Sequence, residues 1–388
     1  MDFALSDEQL AIRESVERIC ARFGDDYWRE RDRTGTFPTA FRDALAEGGW
    51  LGVAMPEAYG GAGLGITEAA VLMHAVARSA GAMSAASAVH INIFGPHPIV
   101  VHGSEEQRSR WLPDLIAGRV GVCFGVTEPD AGLDTGSIST RAERAANGYV
   151  VHGKKLWTST AQTAHKILLL ARTTPLDRVS RRTEGLSLFF TDLDRRYVTV
   201  REIDKMGRAA VDSNEVFIDG LPVPLEDRIG EEGKGFEYLL HGLNPERVLV
   251  GAEAVGIGQR AVELASRYAR ERNVFGRPIG QNQAIQHPLA QSWMELEAAW
   301  LACMRAAWAY DKGLPCGAEA NSAKYLSAEA AYRACERAVM THGGMGYAKE
   351  FDVERLWREV LITRIAPVSP QLILCYIAER VLGLPRSY

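Results

Sequence analysis

Two changes in the period of the hydrophobic pattern constrain the fold of this 388-residue chain most strongly. Up to about residue 120, apolar side chains recur at the spacing of amphipathic helices, as at Ile12, Val16, Ile19 and Phe23. From residue 121, short stretches alternate between apolar and polar residues with a period of two and are separated by turn residues. The helical spacing returns after Gly235 and persists almost to the end. This order predicts an α+β protein in which an antiparallel β-barrel or sandwich lies between two helical regions.

Capping and turn residues locate several of the elements. Ser6 with Gln9 forms a capping box at the start of the first helix. Asn147-Gly148 is a dipeptide that closes tight hairpins, here between strands at 138–145 and 149–157. The spacing predicts further helices at 38–48, 66–79 and 105–117, and further strands at 166–171, 186–193, 198–203 and 214–218. We expect three domains: an N-terminal helical domain at 1–120, a middle β-barrel domain at 121–232 and a C-terminal helical bundle at 233–388.

Composition narrows the class of protein without identifying it. A hydrophobic fraction of 47% and a charged fraction of 24% are ordinary for a globular enzyme of two or three domains. The net charge of −5, without a long basic block, gives no reason to expect a nucleic-acid partner. The six cysteines include no C-x-x-C pair, which favours reduced thiols in a cytoplasmic compartment and no zinc or other metal site. The acidic N-terminus is typical of neither a signal nor a transit peptide, and we expect no integral membrane segment.

Two segments of the middle region suggest a bound ligand. Residues 126–132 (Val-Thr-Glu-Pro-Asp-Ala-Gly) are an extended apolar run that breaks into a polar turn. Residues 153–159 (Gly-Lys-Lys-Leu-Trp-Thr-Ser) are strand-like and end in an aromatic ring between cationic and hydroxyl side chains. Each segment alone is also compatible with a plain hairpin, a buried Trp and a turn. In this order, the pair resembles the segments with which acyl-CoA dehydrogenases dock the isoalloxazine ring of FAD.

Two further motifs extend the resemblance to this family over the helical C-terminal region. Arg272, Phe275 and Gln283 match its R-x-x-F-G…Q signature, whose Arg and Gln reach the FAD of a neighbouring subunit. Gly343-Gly344 matches a glycine-rich turn that meets the diphosphate–adenosine part of the cofactor. A permanent cation and closely approaching backbone N–H groups both suit a diphosphate. Taken alone, Arg272 is also compatible with a cation at a helix C-terminus, and the glycines with a helix cap.

The resemblance implies a bound FAD and an oligomer, either a homodimer or a homotetramer. The implied partners are an acyl-CoA substrate and an electron-transfer flavoprotein. The residues implied to contact FAD are Phe124, Val126, Thr127, Trp157, Thr158, Ser159, Arg272, Phe275, Gln283, Gly343, Gly344, Ser369 and Gln371.

The family's commoner catalytic position is lost in this chain. Many members carry the general base in a C-terminal Tyr-Glu-Gly-Thr segment, and the position matching that Glu is Pro367. Proline can neither accept a proton nor donate a backbone N–H. No carboxylate occurs between Glu359 and Glu379. By this pattern the base must come from elsewhere, or the chain is a catalytically inactive FAD-binding homologue.

An alternative position for the base is present. Isovaleryl-CoA and long-chain acyl-CoA dehydrogenases carry the base in a Glu-Arg dipeptide on the long helix before R-x-x-F-G, and Glu246-Arg247 matches it. Glu246 is therefore the expected general base. Locally, Glu246 is also compatible with a plain first-turn carboxylate behind Asn244 and Pro245. Pro245 either kinks a continuous helix or starts a new one.

The resemblance implies removal of an α-proton from an acyl-CoA thioester by the base, with hydride leaving the β-carbon for the flavin. The expected product is a trans-2-enoyl-CoA, formed in fatty-acid or branched-chain acyl-CoA metabolism. An acyl-CoA oxidase that uses oxygen, or a non-dehydrogenating relative of the same fold, is the alternative.

Other positions bear on substrate binding. The resemblance implies substrate contacts for Leu133, Asn244 and Arg247, although Leu133 replaces a Ser whose hydroxyl often touches the pantetheine. Met340 stands where a Gln commonly helps to hold FAD. The polar residues His90, Asn92 and His97 suggest a polar or carboxylated acyl end, or are simply satisfied core or surface groups.

Overall fold

The computed structural model describes residues 3–387 and shows helices, then a sheet, then helices again. The N-terminal helices are α1 Asp7–Cys20, α2 Asp25–Thr34, α3 Thr39–Glu47, α4 Ile66–Arg78, α5 Ala82–Phe94, α6 His97–His102 and α7 Glu105–Ile116. The main strands are β1 Val122–Gly125, β2 Arg141–Ala145, β3 Gly148–Ser159, β4 Lys166–Arg172, β5 Leu186–Asp192, β6 Val198–Glu202, β7 Ser213–Pro224 and β8 Arg228–Ile229. The C-terminal part comprises α8 Gly235–Glu271, a small hairpin of β9 Asn273–Val274 and β10 Arg277–Pro278, α9 Gln283–Asp311, α10 Gly317–His342, α11 Val353–Ile365 and α12 Pro370–Arg380.

The predicted helices and strands are present with boundary shifts of one to three residues, except that β7 extends six residues beyond the predicted end at 218. The capping box at Ser6 and Gln9 is formed, with the Ser6 hydroxyl accepting from the Gln9 backbone N–H at 3.2 Å. The hairpin between β2 and β3 is also formed, but Ala145 pairs with Gly148, so its two turn residues are Ala146 and Asn147. Gly148 instead begins the strand.

The middle domain is a mixed sheet, and the prediction of an antiparallel barrel is wrong in this respect. Within the described residues, the strands follow the open order β6-β7-β3-β2-β4-β5-β8, and β1 pairs with β4. The β1–β4 pairing is parallel, as is a single contact between β2 and β4. The period of two shows that each segment is a strand, but it carries no information about which strand lies beside which or in what direction.

The central strand β4 is buried on both faces. Leu168 and Leu170 pack into the main core, whereas Ile167, Leu169 and Ala171 pack into a second apolar cluster on the opposite face. Successive side chains of a strand point to opposite faces, so a strand covered on both sides reads as a continuous apolar run. One face of the sheet thereby shares its core with the helices.

The 37-residue helix α8 is the axis on which the helical parts assemble. It packs against α4, α5, α9, α10 and α11. Gly256 permits the close approach of α4, because a Cβ there would lie 2.5 Å from the His74 carbonyl oxygen. The helix runs without interruption through Pro245, which therefore does not start a new helix.

One stretch within residues 3–387, Val353–Arg380, has the length and hydropathy of a membrane-spanning helix. It consists of two helices, α11 of 13 residues and α12 of 11 residues, on either side of the segment 366–369. Neither helix alone approaches the roughly 20 residues that a bilayer requires.

Candidate active site

Glu246 lies in a narrow cavity between α5, β1 and α8. The lining residues are Phe94, Gly95, Pro98, Phe124, Leu239, Gly242, Leu243 and Glu246. The rings of Phe94 and Phe124 meet edge to face, with centroids 5.6 Å apart. The Oε2 atom of Glu246 is buried and has no hydrogen-bond partner among residues 3–387. A carboxylate is thus placed among apolar side chains with one oxygen left free.

The helical repeat explains how the sequence builds the α8 wall of this cavity. Leu239, Gly242 or Leu243, and Glu246 are three to four residues apart and therefore share one face of the helix. Gly242 leaves room beside the carboxylate, because a Cβ there would meet only the His97 ring, at 3.8 Å.

Burial raises the pKa of Glu246 from its ordinary value of 4.5 to about 7, against the opposing charges of His90 and Arg247. A carboxyl group with a pKa near the working pH is suited to accept a proton and to release it again.

The two segments singled out in the middle region form one platform. The backbone N–H of Leu156 donates to the Thr127 carbonyl at 2.8 Å. The Lys155 ammonium donates to the Val126 carbonyl at 3.1 Å and to Glu128 Oε1 at 2.8 Å. The segment that follows β1 is thereby fixed against β3.

Glu128 is the most thoroughly bonded carboxylate of this platform. Its Oε2 accepts from the backbone N–H of Ser139 at 2.6 Å and from the Ser139 hydroxyl at 2.8 Å, and its Oε1 accepts from the Thr140 N–H at 3.0 Å. Burial acts to raise the pKa of Glu128, but Lys155 and these hydrogen bonds outweigh it and lower the pKa to about 2. Burial lowers the pKa of Lys155 to about 8, so both groups are charged at neutral pH.

The platform presents groups that fit a planar, hydrogen-bonding cofactor. A register shift between Lys155 and Thr158 accompanies a backbone φ of 60° at Trp157, whose side chain is 54% exposed. Thr158 is fully buried, and its hydroxyl oxygen has no hydrogen-bond partner in the described residues. Ser159 beside it is half-buried. The open ring of Trp157 suits the face of a flavin, whereas the Thr158 hydroxyl is enclosed by protein atoms.

A second group of predicted cofactor residues lies at another place on the surface, where α8, α9 and α10 end or begin. Stacked rings of Tyr268 and His342, with centroids 4.2 Å apart, join the ends of α8 and α10. The members of the group are Arg272, Phe275, Gln283, Gly343 and Gly344, and all are exposed. None of them lines the Glu246 cavity.

The surface of this group is open. Phe275 is fully exposed, and a Cβ added at Gly343 or Gly344 would meet no described atom within 4 Å. Gly343 has a φ of 60° and a ψ of −133°, a backbone conformation that favours glycine. Met340 is also exposed, at 73%. The geometry leaves space for a ligand or for another chain.

The segment at the commoner catalytic position is tied down by a lysine. The buried Lys324 ammonium donates to the carbonyls of Arg364 at 3.1 Å and Val368 at 2.7 Å, on both sides of Pro367. Ser369 caps α12 by accepting from the Leu372 N–H, and Gln371 is exposed on the first turn of that helix.

The predicted substrate residues fall into two places. Asn244 Oδ1 accepts from the Arg247 guanidinium at 2.9 Å beside the Glu246 cavity. Leu133 lies in the turn of the platform and is 55% exposed. Among residues 3–387, no cluster of His, Cys, Asp and Glu side chains is arranged to hold a metal ion.

The three polar residues proposed for the acyl end have different surroundings. His90 is bonded to Glu253, with His90 Nδ1 and Glu253 Oε1 2.6 Å apart. Asn92 is buried. His97 contacts the Tyr310 hydroxyl at 2.9 Å, and burial lowers its pKa to about 4, so it is neutral.

Sequence reasoning missed the wall residues Phe94 and Leu239 and the buried charged partners Lys155, Glu128 and Glu253. Glu128 and Lys155 lie in the segments 126–132 and 153–159, but no local pattern indicates that they pair. Glu253 has a local signal, since it is the single charged residue in the apolar stretch 248–258 of α8.

Comparison with known proteins agrees with this geometry along the whole chain. Three family models match: the acyl-CoA dehydrogenase N-terminal domain at residues 6–119, the middle domain at 123–221 and the C-terminal domain at 233–382. The acyl-CoA dehydrogenase FadE12 of Mycobacterium tuberculosis is 34% identical over 392 aligned positions, which cover 100% of this chain and 99% of that protein.

Solved structures show the same similarity. A glutaryl-coenzyme A dehydrogenase in complex with glutaryl-CoA superposes with a TM-score of 0.94 at 30% identity, covering 100% of this chain and 98% of that one. An FAD complex of PigA superposes with a TM-score of 0.92 at 26% identity, covering 99% of this chain and 100% of that one. With these matches and a platform that fits a flavin, the chain belongs to the acyl-CoA dehydrogenase family, the oxidoreductases that act on CH–CH bonds with FAD as cofactor.

Proposed function

We propose that this protein dehydrogenates an acyl-CoA thioester to the trans-2-enoyl-CoA, with Glu246 as the general base, and passes the electrons to an electron-transfer flavoprotein. The observation that carries the proposal is the free, buried Oε2 of Glu246 in an apolar cavity that Phe124 of the flavin-side strand also lines. An unpartnered carboxylate in such surroundings costs folding free energy, so its presence there points to a chemical task.

Each part of the site has a defined role in this reaction. Glu246 removes the α-proton, and its raised pKa lets it take up that proton near neutral pH. When bound, FAD would supply the acceptor for the hydride that leaves the β-carbon. Phe94, Phe124 and Leu239 exclude water from the cavity, so the carboxylate of Glu246 meets the α-proton in apolar surroundings. Asn244 and Arg247 are proposed to contact the substrate at the same cavity.

The platform residues hold the flavin ring. Val126, Thr127, Trp157, Thr158 and Ser159 are proposed to line it, with Phe124 beside them. The buried Lys155–Glu128 pair sets the separation of the two segments and therefore the position of the ring.

The exposed group at the helix ends is proposed to hold the cofactor of a second subunit. The proposed members are Arg272, Phe275, Gln283, Gly343 and Gly344. Ser369 and Gln371, at the start of α12, are proposed as further FAD contacts. Large apolar side chains nearby on α9, such as Trp293 at 57% and Met294 at 58% exposure, favour burial against another chain. A homodimer or homotetramer in the cytoplasm is the state that we propose.

A related protein supports the choice of electron acceptor. The caffeyl-CoA reductase–Etf complex subunit CarC of Acetobacterium woodii is 32% identical over 344 positions, which cover 88% of this chain and 89% of that protein. Its name places it in a complex with an electron-transfer flavoprotein.

The test is a panel of straight, branched, aryl and carboxylated acyl-CoAs, mixed anaerobically with the purified yellow protein. We expect at least one to bleach the flavin, and the reduced enzyme to be reoxidised by an electron-transfer flavoprotein much faster than by oxygen. Rapid reoxidation by oxygen would instead identify an acyl-CoA oxidase. A flavin that no acyl-CoA bleaches would contradict dehydrogenation and favour an inactive homologue.

A further inference from the structure

A second carboxylate is buried on α8 near the base. Glu253 is fully buried, and its Oε2 has no hydrogen-bond partner within the part of the chain that the structure describes. Its Oε1 lies 2.6 Å from His90 Nδ1. Nothing in the reaction described above uses either residue, although burying a charged pair away from water is costly.

The pair lies beside the cavity of the base. Glu253 follows Glu246 by seven residues, which is two helical turns along the same face of α8. His90 precedes Phe94 by one turn on α5, and the two rings are 4.7 Å apart. Since Phe94 is a wall of the Glu246 cavity, the imidazole lies directly behind that wall.

The charges around His90 favour its protonated form. Burial by itself lowers the pKa of His90, but the charge and hydrogen bond of Glu253, together with the charge of Glu246, raise it overall. Arg208 is the opposing cation. Its guanidinium donates to the hydroxyls of Ser87 at 2.9 Å and Ser213 at 3.2 Å.

Other charged groups surround His90 and Glu253. Arg208 faces the carboxylates of Glu359, Glu253 and Asp212. Glu246 faces the charges of His90, Arg247 and Glu253.

We propose that His90, held as a cation by Glu253, is a positioning residue that keeps the general base Glu246 ionised inside its apolar cavity. Removal of the α-proton needs the carboxylate form of Glu246, whereas burial favours the neutral form. A cation behind the cavity wall stabilises the carboxylate form of Glu246 without occupying the space that the substrate needs. The inference rests on the proposed function of Glu246.

The test compares His90→Gln and Glu253→Gln with wild type in anaerobic flavin reduction by one good acyl-CoA, measured by stopped flow between pH 5.5 and 9. His90→Gln removes the cation, so the midpoint of the rising limb moves up by about one pH unit. Glu253→Gln moves it in the same direction but less, because it also removes a negative charge that itself raises the pKa of Glu246. At high pH both variants approach the wild-type rate.

Glu263→Gln is the matched control, since Glu263 lies on the same helix but is exposed and paired with Arg78. FAD content and thermal midpoint, measured for each variant, report on folding. If His90→Gln folds poorly, the midpoint of the isosteric Glu253→Gln variant decides whether the inference holds. Glu253→Asp keeps the negative charge, so its pH profile of flavin reduction is expected to return to that of wild type. Unshifted midpoints in folded variants, or a uniform loss of rate at every pH, would overturn the inference and leave a packing role. A wild-type flavin that no acyl-CoA bleaches would instead contradict the proposed function itself.

Discussion

Glu128 and Glu246 are the same side chain in two settings, the first buried and the second half-buried with one oxygen enclosed, and they behave in opposite ways. Glu128, which is 4% exposed, accepts hydrogen bonds from Lys155, Ser139 and Thr140, and its pKa falls to about 2. Glu246 has a buried oxygen without any partner, and burial raises its pKa to about 7. Burial alone therefore does not determine the charge of a carboxyl group.

The difference separates a structural task from a chemical one. The oxygens of Glu128 are occupied, so the residue is a permanent anion that fixes two segments of the platform. Glu246 keeps an oxygen free and a pKa near neutrality, which are the properties needed to exchange a proton with a substrate.

The largest expected effect is the loss of stability when the buried Lys155–Glu128 pair is broken. Lys155→Met leaves the buried Glu128 without its cation, and loss of one member of a buried pair costs about 3–5 kcal/mol in the free energy of unfolding. Urea unfolding followed by circular dichroism measures this. Lys154→Met is the control, because Lys154 is 34% exposed and pairs with Glu215 at the surface, where such pairs contribute less than about 1 kcal/mol. Equal destabilisation by the two substitutions would contradict a structural role for the Lys155–Glu128 pair.

Substitution of Glu246, whose Oε2 lacks a partner among the described residues, is expected to raise the free energy of unfolding and not to lower it. Because the pKa of Glu246 is raised from 4.5 in the ordinary state to about 7 in the folded protein, the folded state binds the proton more tightly, and stability falls as pH rises between these values. Glu246→Gln should therefore become more stable than wild type at pH 8.5, by about 1–3 kcal/mol, with the difference shrinking toward pH 4.5. Unfolding curves across this range test it, and a difference independent of pH would show that burial does not raise the pKa of Glu246.

The same contrast between partnered and free groups recurs among surface cations. Arg277 donates to Asn282 Oδ1 at 2.8 Å, whereas Arg272 has no side-chain partner among residues 3–387. If Arg272 is reserved for the cofactor of another subunit, Arg272→Ala should release FAD on dilution about tenfold faster, the loss expected for one hydrogen bond to a charged group. Gel filtration and flavin absorbance follow the release, and Arg277→Ala is the control. A colourless, stable monomer in the wild type would contradict this assignment.

The smallest effect is expected at the commoner catalytic position. Pro367→Glu, introduced into Glu246→Gln, places a carboxylate between carbonyls that Lys324 already holds. We expect little of the lost turnover to return, because Val368 and Pro370 flank the new side chain differently from the family's turn. Steady-state assays with an artificial electron acceptor measure this, with Pro367→Glu alone as the control. Full recovery would show that both positions can serve the same reaction.

The period of the hydrophobic pattern predicted most elements. It did not reveal α2 and α5, and the burial of their residues explains why. In α2, only Trp28 is buried, so a largely polar sequence shows no apolar stripe. In α5, every residue except His90 is buried, so no polar face marks the period. The prediction of an antiparallel barrel was wrong because the parallel pairing of β1 with β4 depends on tertiary structure and not on the pattern within either strand.

The candidate site was only partly accessible from the sequence. The resemblance drew attention to Glu246, since Pro367 excluded the other position. The free oxygen of Glu246, the Lys155–Glu128 pair and the His90–Glu253 contact became visible only in the fold. His90 and Glu253 are 163 positions apart in the chain, and no spacing rule connects them.

The most direct test of the account is stopped-flow reduction of the flavin by a good acyl-CoA, comparing wild type with Glu246→Gln. Glutamine keeps the shape of the side chain but cannot accept the α-proton, so we predict a rate at least about 10²-fold lower, with FAD content and oligomeric state unchanged. The wild-type rate should rise with pH through about 7 as Glu246 ionises. If Glu246→Gln reduces its flavin at the wild-type rate, the base lies elsewhere and the role assigned to Glu246 is wrong.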